Sequence, residues 1–230
     1  MKMWKDFRGH SVIALGLLAT AFVFVPSGNA TLIPPNTATL PITGVTVPGG
    51  GAVVASILND TISTTAAGDT LTVTYSEWVY QEAGGSLDFI IQANNDAGVS
   101  NDIIDRVTSG SFQGNGAITT DLGFNSAAPV LGSPIVGGLD PTTGDRSANG
   151  ATVGFDFGAS EVAPGGKTDY LIIKTNATKW VPGTVSFQDG VTVTGAGFGV
   201  VPEPGSVGLL LGGLFGVGLF VTRRFRVQQS

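Results

Sequence analysis

Apolar side chains recur at every second position along the middle of this chain, and no stretch between residues 52 and 200 carries a convincing helical period. Leu71, Val73 and Tyr75 alternate with Thr72 and Thr74, and Leu87, Phe89 and Ile91 with Asp88, Ile90 and Gln92. Val153, Phe155 and Phe157 alternate with Thr152, Gly154 and Asp156, and the pairs Val185/Phe187 and Val191/Val193 continue the pattern. A period of two sends successive side chains to opposite faces of an extended strand, so each set turns one face to a core and the other to water or a second layer. Turn-forming clusters punctuate the runs: Ala83-Gly84-Gly85, Asn94 to Gly98, Pro141 to Gly144, Pro164-Gly165-Gly166 and Asp189-Gly190. The last of these predicts a two-residue hairpin. About eight or more short strands with such turns read as an antiparallel β-sandwich, jelly-roll-like, over residues 52–200. No fixed repeat supports a solenoid. Residues 31–51, with Pro34, Pro35, Pro41, Pro48 and three consecutive glycines, read as an extended lead-in with room for a short edge strand.

Charge is unevenly spread. Residues 31–200 hold 15 acidic and 5 basic side chains, a net −10, while residues 1–30 and 201–230 are each +2. A body this acidic, with no basic stripe, repels phosphate backbones, which excludes nucleic acid as a partner. The chain has no cysteine and one histidine, His10. Disulfides, thiolate metal sites and thiol nucleophiles are therefore absent, and stability must come from the core of about 170 residues.

The two ends carry the address. Lys2, Lys5 and Arg8 precede an uncharged apolar run from Ser11 to Val25, then Pro26 and the small-residue pattern Gly28-Asn29-Ala30. That order predicts a secretory signal peptide over residues 1–30, cleaved after Ala30 and taking His10 with it. A second apolar run, Gly205 to Thr222, is 18 residues long without a charge. As a helix it spans roughly 27 Å, slightly short of a ~30 Å hydrocarbon core. Its leucines, valines and phenylalanines contribute roughly −3 to −6 kcal/mol of insertion free energy, diluted by six glycines. The expectation is a marginal transmembrane helix. Arg223, Arg224 and Arg226 follow it directly and should stay cytoplasmic, which places residues 31–200 on the periplasmic side of the inner membrane, where the signal peptide also sends them. Gly208, Gly212 and Gly216 share one helix face open to another helix, though a glycine-rich run produces such spacing by composition alone.

Val201-Pro202-Glu203-Pro204 stands just before that run, its two prolines fixing an extended backbone around one carboxylate. Pro-Glu-Pro, an apolar span and an arginine cluster together resemble the PEP-CTERM sorting signal of Gram-negative bacteria. The resemblance covers about thirty residues at the C-terminus. It implies that Pro202, Glu203 and Pro204 are recognised by exosortase, that Arg223, Arg224 and Arg226 form the retention tail, and that the helix is removed during sorting outward. Such proteins are linked with exopolysaccharide and biofilm matrix. The same tail is also labelled an ice-binding protein C-terminal segment. Leu87 to Gly98 and Ala163 to Thr178 are more loosely similar to β-rich modules found ahead of this tail.

Without His or Cys, the exported body keeps three kinds of candidate chemistry. Glu77, Glu82 or Glu161 with Asp88 or Asp156 are the residue types of a carboxylate-based glycoside hydrolase, whose separation only a fold can set. Asn95, Asp96, Asn101, Asp102 and Asp105 crowd one loop, and Asp140 and Asp145 another, with the hard oxygen donors calcium takes. Within the first, Asp96, Asp102 and Asp105 are the candidate ligands, although Gly98 and Val99 break EF-hand spacing and Asn and Asp also suit plain turns. Trp78, Tyr80 and Trp180 are the candidate carbohydrate contacts, with Trp78 and Tyr80 on the strand face opposite Tyr75; burial in the core is the competing fate of all three. Thr70, Thr72 and Thr74, with Thr192 and Thr194, suit exposed strands and give too few ranks for an ice plane. The reading that best fits is a non-enzymatic surface or matrix protein; a carbohydrate-binding module and a hydrolase are the alternatives.

Overall fold

The computed structural model describes residues 30–46, 50–113, 118–127, 131 and 137–201. This part is all-β, with no helix. Its strands are β1 (Thr31–Leu32), β2 (Thr37–Pro41), β3 (Thr43–Gly44), β4 (Ala52–Ala66), β5 (Asp69–Gln81), β6 (Leu87–Asn95), β7 (Arg106–Gly110), β8 (Thr120–Asn125), β9 (Thr143–Arg146), β10 (Thr152–Asp156), β11 (Tyr170–Thr175), β12 (Trp180–Asp189) and β13 (Val191–Val200). The larger sheet runs β1-β8-β11-β6-β5-β4, with β3 also on β8; the smaller runs β13-β12-β7-β10-β9-β2. Every pairing is antiparallel except β3 on β8. Residues 1–29 of the expected signal peptide and the apolar run 205–222 lie outside the described residues, among which no helix is long and apolar enough to cross a membrane.

The alternation read from the sequence becomes the core. Leu71, Val73 and Tyr75 of β5 and Leu87, Phe89 and Ile91 of β6 meet Val153, Phe155, Val185 and Phe187 of the smaller sheet in one buried cluster. The opposite face of the larger sheet is also covered. Tyr80, Ile90, Tyr170 and Ile172 are buried there with Val45, and Ala30, Trp78 and Leu131 pack against them. A strand buried on both faces loses its clean polar alternation, which is why Leu87 to Ile91 is buried at all five positions.

Three local readings change. Residues 31–44 are woven into the body: β1 pairs with β8, β2 with β9 and β3 with β8, so the lead-in crosses between sheets and buries Ile33 and Ile42. The Asp189-Gly190 hairpin exists, but Asp189 pairs with Val191 and leaves Gly190 alone at the tip with φ 61°. The two-residue turn lies instead at Ala67-Gly68, between the paired Ala66 and Asp69, where both central residues have positive φ (55° and 101°) as a type I′ turn requires.

Candidate functional site

The candidate aromatics part company. Trp78 and Tyr80 do share the face opposite Tyr75, but that face is covered: Tyr80 is 0% exposed and its hydroxyl accepts a hydrogen bond from the Gly51 N–H at 2.6 Å. Trp78 packs edge-on against Tyr170 at 5.9 Å. The reason is the second cluster over the larger sheet, which the sequence does not announce. Trp180 belongs to the other sheet and is 37% exposed. The three therefore form no common platform.

Trp180 instead walls a cleft of about 340 Å³ with Val54, Gln81, Leu87, Thr178, Lys179 and Val201. The cleft lies where the start of β4, the end of β5 and the start of β6 meet the start of β12 and the residue after β13. The indole is held in place by an edge-to-face contact with Phe198, centroids 5.1 Å apart and planes at 81°. The Val201 N–H donates to the Lys179 carbonyl at 3.2 Å, which ties the chain's exit from β13 to the cleft wall. Gln81 Nε2 donates to the Gly85 carbonyl at 3.3 Å, leaving the amide oxygen uncommitted among the described residues. No carboxylate among the described residues lines this cleft, and no described acid pairs with Lys179. Of its lining only Trp180 was identifiable from the sequence, because Gln81, Leu87 and Val54 carry no motif and meet only when the two sheets close.

The candidate calcium ligands Asp96, Asp102 and Asp105 are not gathered into one metal-binding group among the described residues. Asp96 Oδ2 accepts from Thr74 Oγ1 at 2.7 Å, facing β5. Asp102 Oδ1 accepts from the Ile103 N–H at 3.0 Å. Its carboxyl also lies against Asp189, whose own carboxyl is pushed up by burial and then by Asp102, Asp105 and Glu161. Asn95 Nδ2 donates to the carbonyls of Asp102 and Val162, both at 2.8 Å, and Asn101 Oδ1 accepts from the Thr70 N–H at 2.5 Å. Asn95 Oδ1 and Asp102 Oδ2 are buried without a hydrogen-bond partner among the described residues, while the other atoms named hold the turn or tie it to β5. No group of three or more His, Cys, Asp or Glu side chains among the described residues is placed for a metal ion. In the second loop Asp145 is taken by Arg106, at 2.6 and 2.8 Å, and Asp140 sits beside the buried Asp169.

The carboxylates proposed for hydrolysis are also dispersed. Glu77 is 0% exposed in the main core, where Oε2 accepts the Phe198 N–H at 3.2 Å and Oε1 has no partner. Burial pushes its carboxyl up to about 8, against the pull of that one hydrogen bond. Asp88 pairs in register with Tyr80 and so points to the opposite face of the same sheet. Burial, then Glu82, pushes it to about 8. Glu82 accepts from Ser86 Oγ at 3.1 Å, Asp156 is ion-paired to Arg106 at 2.5 Å, and Glu161 is exposed. No two of these acids share the Trp180 cleft.

The threonine ranks gain partners the sequence did not suggest. Thr70, Thr72 and Thr74 each meet a hydroxyl of β4, from Thr65, Ser63 and Thr61 at 2.9, 2.7 and 2.7 Å. Thr194 pairs with Ser186 at 2.8 Å, in the other sheet from Thr70, and Thr192 lies opposite Gln188 in that sheet. Of the processing residues, Ala30 and Val201 are described; Pro202, Glu203, Pro204, Arg223, Arg224 and Arg226 lie outside the described residues. No protein-family model, curated protein or solved structure matches this chain.

Proposed function

We propose that this chain is an exported, non-enzymatic cell-surface or extracellular-matrix protein, built on one jelly-roll-like β-sandwich and sorted by exosortase through its C-terminal tail. The residue order of the two ends supports the reading above all: a basic, apolar, then small-residue pattern over residues 1–30, and Pro202-Glu203-Pro204 ahead of an apolar run and an arginine cluster. Among the described residues the strands run from Thr31–Leu32 to Val191–Val200 and make one all-β body. Two sheets sharing a single apolar core support the sandwich. The net −10 of residues 31–200 suits a soluble exported body and disfavours nucleic acid.

The proline motif provides the test. Glu203→Ala should leave a membrane-held, unprocessed precursor, measured by mobility and by pelleting with membranes. Release of the variant at the wild-type rate would contradict exosortase recognition. A second reading, a carbohydrate-binding module engaging matrix exopolysaccharide, is favoured by the Trp180 cleft. The hydrolase alternative loses support because Glu77 and Asp88, the acids with the most raised carboxyls, point to opposite faces of one sheet.

A further inference from the structure

We propose that the cleft around Trp180 is a binding subsite for a neutral pyranose unit of a glycan. The inference deepens the carbohydrate-binding reading and rests on the exported-protein proposal only for where the glycan is encountered. Val54, Leu87 and Val201 with the indole of Trp180 give the cleft an apolar surface, while Gln81, Thr178 and Lys179 supply an amide, a hydroxyl and an ammonium. A ligand that satisfies both must be flat and apolar on one face and rich in hydroxyls at its rim. A pyranose ring is built in that way: its C–H face stacks on an aromatic ring and its hydroxyls reach outward to donors and acceptors. The volume of about 340 Å³ lies near the lower end of small-ligand sites, room for one or two sugar rings but not for a large cofactor.

Three further observations narrow the ligand. The indole is fixed by its edge-to-face contact with Phe198, so a stacking surface is presented with little rotamer freedom to lose on binding. No acid among the described residues lines the cleft, so its described walls offer a cationic ligand no counter-charge. The surrounding body carries net −10, so a long polyanion is repelled beyond the one lysine at the mouth, over a screening length of about 8–10 Å. Lys179 then acts as a hydrogen-bond donor to a sugar oxygen. Trp78 and Tyr80 take no part, being covered on the other face of the larger sheet.

The experiment is titration of the full-length protein in detergent micelles with neutral gluco-, galacto- and manno-configured trisaccharides and with a uronate trisaccharide, followed by calorimetry and tryptophan emission. At least one neutral trisaccharide should bind with Kd of about 1 mM or tighter. Trp180→Ala should weaken it by about tenfold or more, Gln81→Ala by about threefold to tenfold, and Lys179→Met by no more than about twofold to threefold. If Trp180→Ala lowers the melting temperature, Gln81→Ala and Thr178→Ala report on the same cleft without removing the ring. No binding by any neutral trisaccharide at 10-fold above that concentration, or wild-type affinity in a folded Trp180→Ala, would overturn the proposal. So would a preference for the uronate that Lys179→Met abolishes. None of these outcomes alters the termini of the mature chain, so failure here is distinct from failure of the export and sorting proposal.

Discussion

Among single residues, the buried carboxyl of Glu77 has the clearest thermodynamic consequence. It sits in the main core with one hydrogen bond, and Gly197 opposite it has no room for a side chain: a Cβ there would lie 2.8 Å from Glu77 Oε2. With its carboxyl raised from 4.5 to about 8, the folded chain keeps a proton that the unfolded chain gives up near 4.5. The folded state therefore binds more protons between those values, and stability is full below pH 4.5, falls as pH rises toward 8, and levels off above it. Asp88 adds to the slope with the same sign. Glu77→Gln keeps the acceptor for Phe198 and removes the charge, so it should raise stability at pH 8–9 by roughly 2–5 kcal/mol and change it little at pH 4. Urea melts at the two pH values check this; an equal effect at both would show that Glu77 is not held protonated. None of it was legible beforehand. Glu77 reads in the sequence as a candidate hydrolase carboxylate, and only the closeness of β5 to β13 makes it a core residue. Tyr80 shows the same limit, since its cover comes from Val45, far away in sequence.

Elements were easier to read than residues where they depend on local alternation. β5, β6, β10, β12 and β13 coincide with period-two runs because each has one face on the shared core. β1 to β3 were harder: their prolines suggest loose extended chain, and their pairing with β8 and β9 is a non-local event that no window of sequence contains. Turns divide similarly. Asp189-Gly190 marks a hairpin, but the register across β12 and β13 is set over ten residue pairs and moves the tip onto Gly190. Ala67-Gly68 lacks the Asn or Asp usual in a type I′ turn, and Ala67 carries the cost of a left-handed backbone at φ 55°. Replacing Ala67 with Asn should relieve that cost and stabilise the chain by about 0.5–1 kcal/mol, seen as a shift in urea midpoint at constant slope. A destabilised variant would mean that the turn is held by contacts other than its own backbone preference.

For the whole molecule, the sequence and the structure contribute different halves. Composition excludes cysteine and histidine chemistry from residues 31–200, and the acidic balance disfavours nucleic acid as a partner. The structure adds two sheets, a second apolar layer and a cleft that draws on both sheets. Export and sorting rest on the ends of the chain, where apolar runs and arginines are informative as sequence and lie outside the described residues. What joins the halves is the all-β body described within residues 30–201, the part that the two predicted processing steps would release. The most direct measurement is intact-mass and terminal-peptide spectrometry of the protein recovered from the cell surface and the culture medium. The expected product begins at Thr31 and ends near Pro204, without the run 205–222. A chain recovered from the cytosol with residues 1–30 and 205–230 still attached, and no shorter form outside, would contradict export and sorting together.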